Sequence, residues 1–319
     1  TRDAVIEGQP YPVKGWFTYK TNPMQTGANR QKTIEMINKL DFMMTVDITM
    51  SDTAWMADLV LPAPSYLERQ DPVSAFLASS SCSGVLSRDP IVPAMFVSKP
   101  VFWIVKELAR RLDLGEYFDF TLDDFRQAQL KKLPEVAKAL KEDGVFNYVG
   151  HSHGIHAGKP FKTRSKKIEL FSSRYAENGI DPMPIYRPPK SVPQNQFRIV
   201  VGRNAYITQS ASTNNTLLWE LEQENFLWIH PDSAQPLGIR HGDAVEVKSP
   251  AGMGRLKARV TEATRPDSVY MDTGYGVISK GLSKIYGKGA CIAEVLEDHA
   301  DEISGNMAMH ETIVSVRKV

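Results

Sequence analysis

Cysteine is scarce, with Cys82 and Cys291 the only two in 319 residues. So few thiols, so far apart, exclude a disulfide framework, a CxxC redox pair and a thiolate metal cluster, and they carry no information on compartment. The chain also lacks a surplus of either charge, because 38 Lys and Arg stand against 37 Asp and Glu. No overall field therefore draws in nucleic acid or an anionic membrane surface. No apolar run reaches the roughly 18 residues of a membrane helix, so direct membrane insertion is not expected. The opening TRDAVIEGQP has neither an initiator Met nor a basic stretch leading into an apolar one, and a soluble chain with a cut start is expected. GxGxxG, GxSxG and HExxH are missing too, which removes the usual dinucleotide fingerprint, the nucleophile elbow and the zinc-hydrolase helix.

What is present suits a globular protein of about two domains, since 42% of the residues are hydrophobic and 24% charged. Residues 12–62 read as an α/β unit. VKGWFTYK is an aromatic stretch of strand length, and TNPMQTGANR breaks it with Asn22-Pro23 and Gly27. RQKTIEMINKL places Ile34, Ile37 and Leu40 at helical spacing, and DFMMTVDITM follows as a buried strand ending in an acid. Ser51 caps a further short helix, and DLVLP is a strand stopped by Pro62 and Pro64. Strand, helix, strand, helix, strand implies a parallel sheet.

Residues 99–115 predict an amphipathic helix, apolar at Val101, Ile104, Val105, Leu108 and Leu112, with Gly115 at its end. Helical pattern continues on both sides of Pro134. From about 145 to 195 the chain turns to His, Gly, Pro and basic residues, the texture of a connector. From 196 onward FRIVVG, FLWIH, AVEVKSP, GRLKARVTE, SVYMD and TIVSVRKV, separated by Gly-rich turns, argue for a closed β-barrel. The expected organisation is an α/β parallel-sheet region with a helical extension over 1–145, a connector over 146–195 and a barrel over 196–319.

Ligands of open parallel sheets sit beyond the carboxyl ends of the strands. After the first strand, Thr21, Asn22 and the N-terminus of the next helix suit a phosphate. After the second, Asp47 suits ribose hydroxyls or a guanine N–H pair. The same residues also serve as an ordinary turn and a capping acid. The run TQSASTNN (208–215) is rich in uncharged donors and acceptors, suited either to a large heteroatom-rich ligand or to plain surface. HSHGIH (151–156) is read as a solvated loop and not as a metal site. The paired acids of LERQD and LKEDG are explained by helix ends. No catalytic residue and no metal ligand is assigned.

The order of PYPVKGWFTYKTNP, DFMMTVDITMSDTAWMADLVLPAPSYLERQDP, KTRSKKIELFSSRY and GRNAYITQSASTNN…IHPDSAQPLGIRHGDAVEVKSPAGMGRLKARVT resembles the C-terminal part of molybdopterin oxidoreductases of the dimethyl sulfoxide reductase superfamily. Within it, SDTAWMADLVLPAPSYLER and HADEISGNMAMHETIVSVRK are most similar to catalytic subunits of polysulfide and thiosulfate reductases. The resemblance implies a molybdenum ion between two molybdopterin guanine dinucleotides (Mo-bis-MGD). It also implies a nucleotide-binding α/β region and a double-psi β-barrel that closes over the pterins, so that the polar run would hold pterin and diphosphate.

By position, Asn22 matches the phosphate and ribose loop, and Asp47, Thr49 and Ser51 match the nucleoside loop. Arg203, Thr208, Gln209, Ser210 and Ser212 match the barrel's cofactor loop, while Tyr275 and Gly276 match a later cofactor segment. The family's N-terminal cysteine motif for a 4Fe-4S cluster and its molybdenum ligand have no counterpart here. A piece of a larger reductase, inactive by itself, is therefore expected. The complete enzyme would take electrons from an iron–sulfur subunit, dock to a membrane anchor subunit and work outside the cytoplasm. Tetrathionate, arsenate, formate or nitrate are the alternative substrates, and a cofactor-free adaptor is the non-enzyme alternative.

Overall fold

A computed structural model describes residues 2–79, 82–148, 158–183, 185–186, 188–301 and 303–319. The chain divides into two compact units, one made of Thr1–Ala63 with Lys190–Val319 and the other of Pro64–Pro189. The His-rich stretch 151–156 lies outside the described residues.

The first unit begins with α1 (Arg2–Glu7), β1 (Gly15–Tyr19), α2 (Pro23–Thr26), α3 (Arg30–Asn38), β2 (Phe42–Asp47), α4 (Asp52–Trp55) and β3 (Leu59–Pro62). The three strands pair in parallel in the order β1-β2-β3. The turns into α3 and α4 are fixed by local chemistry. Asn29 sits in the left-handed region at φ 55° and accepts from Lys32 N to cap α3, and Ser51 accepts from Ala54 N to cap α4. Met36 and Ile37 of α3 pack with Trp16 and Met43, and across the sheet Thr18 donates to Thr45 at 2.8 Å in a buried pair.

The second unit carries β4 (Asp71–Ser79), β5 (Cys82–Arg88), α5 (Val101–Arg111), a 3₁₀ turn (Gly115–Phe118), α6 (Leu122–Leu130), α7 (Pro134–Asp143), β6 (Val145–Asn147) and α8 (Ser173–Glu177). β4, β5 and β6 form an antiparallel sheet. Val85 packs there against Val136 and Leu140 of α7. Thr121 and Asp124 form a reciprocal capping box on α6, and Pro134 starts α7 where its missing N–H costs nothing.

The first unit resumes with β7 (Phe197–Gly202), α9 (Thr216–Trp219), β8 (Phe226–Ile229), α10 (Pro231–Ala234), β9 (Ala244–Ser249), β10 (Gly252–Val260), β11 (Ser268–Asp272), α11 (Ile292–Val295) and β12 (Ile313–Lys318). Six strands close a barrel in the order β10-β8-β11-β7-β12-β9. Alternation along β10 turns Gly254, Leu256 and Ala258 inward and Met253, Arg255 and Lys257 outward. The interior is filled by side chains such as Ile199, Leu227, Val247, Val269 and Met271, so the barrel is a packed core and not a pore. The closed barrel expected from the strand spacing is present.

Candidate functional site

β7 and β11 run parallel, with Gly202 opposite Asp272. Parallel pairing brings their carboxyl ends side by side, so the loop starting at Arg203 meets the turn Thr273–Gly274, seventy residues later in sequence. Between them lies a cleft of ≈ 250 Å³ whose lining includes Arg203, Gln209, Ser210, Thr273, Gly274 and His310, with Gln25 and Thr26 from α2. The approach of the two loops requires glycine: Gly274 has φ 96°, and a Cβ there would lie 2.7 Å from Gln209 O.

The polar groups of this cleft divide into those that hold its shape and those left over. Thr208 N donates to Ser212 Oγ at 2.7 Å, which ties the loop to itself. Asn22 Nδ2 donates to Ser210 Oγ at 3.0 Å, while its Oδ1 accepts from Thr53 N and Thr53 Oγ1. Asn22 is thus a strut between the α/β part and the barrel loop. Left over in the lining is the hydroxyl of Thr273, buried with no hydrogen-bond partner among the described residues, the kind of orphan that a native structure retains for a ligand, a water or a role; the Thr213 hydroxyl is buried without a partner too, but outside the lining. Arg203 is exposed and makes no ion pair among the described residues. His310 accepts the Val201 N–H on Nδ1 at 3.2 Å, which puts the proton of the neutral ring on Nε2.

Asp47, Thr49 and Ser51 occupy the β2–α4 turn and do not line the cleft. Asp47 spends its carboxylate locally, accepting from Ile48 N at 2.7 Å and from Ser51 Oγ at 2.6 Å. Tyr275 is fully buried with Ile207, Val277, Leu282 and Ile285, and its hydroxyl has no partner. Burial, with Glu222 and Asp272 nearby, pushes that phenol above its usual range, so it stays protonated and able to donate. Gly276, at φ 64°, presses on the backbone of Ala290 and Cys291 and lines a separate hollow of ≈ 350 Å³ together with Glu294. Burial raises the Glu294 carboxyl, against the opposing pull of Arg30.

A fully buried ion pair joins the α/β part to the barrel. Arg30 Nη2 meets Asp52 Oδ2 at 2.6 Å, and Arg30 Nη1 donates to Gly276 O at 3.0 Å. Asp52 also accepts from Gln25 Nε2, Ile278 N and Ser279 N. Both Asp52 oxygens are satisfied while Arg30 Nε is left without a partner, and loss of either member would leave a buried charge at a cost of about 3–5 kcal/mol.

Thr273, Gly274, His310 and the Arg30–Asp52 pair were not singled out from the sequence, and Gln25 entered only within the turn TNPMQTGANR. An adjacent cue existed only for Gly274, as the glycine that ends a strand in MDTGYG. The fit to a heteroatom-rich ligand bearing an anionic group is good, since the cleft offers the orphaned Thr273 hydroxyl, the Gln209 amide, a ring N–H and a guanidinium without an ion pair among the described residues.

Comparison with known proteins gives residues 4–111 as a match to the family described as Molybdopterin oxidoreductase, and residues 197–313 as a match to the Molydopterin dinucleotide binding domain. The chain is 28% identical to the thiosulfate reductase molybdopterin-containing subunit PhsA of Salmonella typhimurium, over 96% of this chain and 43% of that protein. It is 26% identical to the dimethyl sulfoxide reductase DmsA of Escherichia coli, over 97% and 42%. The fold is shared with the solved structure of acetylene hydratase from Pelobacter acetylenicus, with a TM-score of 0.81 at 22% identity, covering 100% of this chain and 46% of that one. The chain thus spans less than half the length of these relatives.

Proposed function

Because the chain belongs to the molybdopterin oxidoreductases of the dimethyl sulfoxide reductase superfamily, we propose that the 203–215 loop and its cleft hold one dinucleotide arm of the cofactor, in the C-terminal portion of a longer catalytic chain that reduces thiosulfate or polysulfide. The cofactor that goes with this membership is Mo-bis-MGD, and the chain is part of an oxidoreductase. The observation that carries the reading is the cleft itself, where Arg203, without an ion pair among the described residues, stands among uncharged donors and the buried, partnerless hydroxyl of Thr273.

When bound, the group supplies two-electron transfer to the sulfur substrate. The residues of this chain bind and orient it. Arg203 balances the diphosphate charge through its fixed fork of donors. Gln209, Ser210 and Thr273 supply neutral hydrogen bonds, and His310 presents its Nε2–H. The loops at the carboxyl ends of β1 and β2, with Asn22 and with Asp47, Thr49 and Ser51, take the nucleoside side through a backbone that these side chains hold in shape. Thr208 and Ser212 keep the barrel loop closed on itself, and Tyr275 and Gly276 seat the segment behind it.

A sulfur substrate is supported by the likeness to a thiosulfate reductase subunit along 96% of the chain. The 4Fe-4S cluster and the molybdenum ligand belong, in this reading, to the remainder of the longer chain. An iron–sulfur electron-transfer subunit feeds it, a membrane anchor subunit holds it, and the assembly faces away from the cytoplasm; no helix among the described residues is long and apolar enough to cross a membrane. The test is the complete gene product supplied with a reduced viologen dye and a panel of oxidants. Sulfide release from thiosulfate or polysulfide is the expected result. Turnover of dimethyl sulfoxide or nitrate, with the sulfur compounds inert, would sink the substrate assignment.

A further inference from the structure

The balance of 38 basic against 37 acidic residues hides a local excess. GKPFKTRSKK, residues 158–167, holds Lys159, Lys162, Arg164, Lys166 and Lys167 and no acid. All five are exposed. Hydrogen bonds close the stretch into a compact turn: Phe161 N donates to Lys166 O at 3.2 Å, Lys166 N to Thr163 O at 3.2 Å, and Thr163 Oγ1 to Lys167 O at 2.6 Å. Closing the turn gathers charges that repel one another, and little in the chain offsets them. Glu177 lies 3.3 Å from Arg164 in an exposed pair of the kind that contributes little. Glu169 accepts from Ser165 N at 2.8 Å, and the four lysines make no ion pair among the described residues.

The residues that follow are apolar and just as exposed. In IELF (168–171), Ile168 is 69%, Leu170 75% and Phe171 53% exposed. Ser172 N donates to Pro182 O at 2.8 Å, which brings the exposed Met183 up to the end of this stretch. Large apolar side chains exposed singly are ordinary. A run of them continuous with five cations has the composition that settles at a headgroup boundary, where ammonium groups meet lipid phosphates and aliphatic side chains leave water. A nucleic acid would satisfy the charge but leave Ile168 and Leu170 in water, since its binding sites pair cations with stacked aromatics. We propose that the 159–171 segment binds an anionic phospholipid surface, so that the catalytic chain itself touches the membrane. The contact is peripheral, for no helix among the described residues is long and apolar enough to cross a bilayer. It comes in addition to the anchor subunit of the functional reading and does not depend on that reading.

Flotation of the complete gene product, purified without partner subunits, with lipid vesicles tests this. Vesicles of phosphatidylglycerol mixed with phosphatidylcholine are expected to bind it at least tenfold more tightly than phosphatidylcholine alone. Salt at about 1 M, where the Debye length is about 3 Å, is expected to release it. Lys162→Glu combined with Lys166→Glu and Lys167→Glu should abolish the preference for phosphatidylglycerol. Leu170→Ser should weaken binding severalfold and leave its salt dependence in place. These side chains are exposed, so circular dichroism and the melting midpoint should stay as in the wild type. Equal binding to both kinds of vesicle overturns the proposal, as does full binding by the triple variant. Binding that Leu170→Ser leaves untouched would reduce the segment to a general polyanion patch and overturn it too. So would binding by the 319-residue chain but not by the complete product, which would mean that the remainder of the longer chain covers the segment. The vesicles carry no substrate and the assay reads no turnover, so failure of the sulfur-reductase reading would leave this result unaffected.

Discussion

At Gly276 the backbone has φ 64°, and a Cβ would overlap Cys291 N and the Ala290 carbonyl carbon. Its own oxygen accepts from Arg30, so a shift there pulls on the buried ion pair. Gly276→Ala should destabilise the protein by on the order of 3 kcal/mol, read as a lower denaturant midpoint, because both strain and overpacking act on rigid backbone. The Cys291 thiol beside it is pushed up to about 11 by burial, eased by Arg30, and is inert packing and not a nucleophile. At this scale the sequence was a partial guide. Asp47 and Ser51 were recognisable as a polar turn, but whether their oxygens face a ligand or each other depends on dihedral angles that a residue list does not contain. Tyr275 was matched by position to a cofactor segment, yet its place in the core depends on Leu282 and Ile285 packing with it.

Among the elements, β9, β10 and β12 meet at one carboxylate. Glu246 pairs in register with Arg255 on one side and Arg317 on the other, and accepts hydrogen bonds from both. Those bonds, to Arg317 first and then Arg255, hold its carboxyl below the usual range. A depressed carboxylate contributes stability above its unfolded-state value, and that contribution is lost as pH falls through the lower folded-state value. The barrel should therefore lose stability as the medium drops below the ordinary Glu value of 4.5, and Glu246→Gln should flatten this part of the profile; an unchanged acid slope in thermal melts would refute the assignment.

The parallel β–α–β order and the barrel were legible because their signals are local: helical spacing in RQKTIEMINKL, caps at Ser51, alternation in GRLKARV. The hairpin β4–β5 was not, because DPVSAFLAS and CSGVLSR carry small polar residues that blur alternation.

For the whole molecule, the grouping of Thr1–Ala63 with Lys190–Val319 follows from contacts that no local pattern announces. Arg30 to Gly276, Asn22 to Ser210 and Asp52 to Ser279 each link the α/β segment to a residue more than 180 positions later in sequence. The cleft arises the same way, since Arg203 and Thr273 become neighbours only through the parallel pairing of β7 with β11. Beside the 203–215 loop proposed to hold the cofactor, the cleft is lined by Thr273, Gly274 and His310. The most direct test is the molybdenum and guanine nucleotide content of the complete protein, wild type against Arg203→Ala combined with Thr273→Val. The cleft account predicts at least a tenfold loss of both in the double variant with the fold intact by circular dichroism; full retention of metal and nucleotide would contradict it.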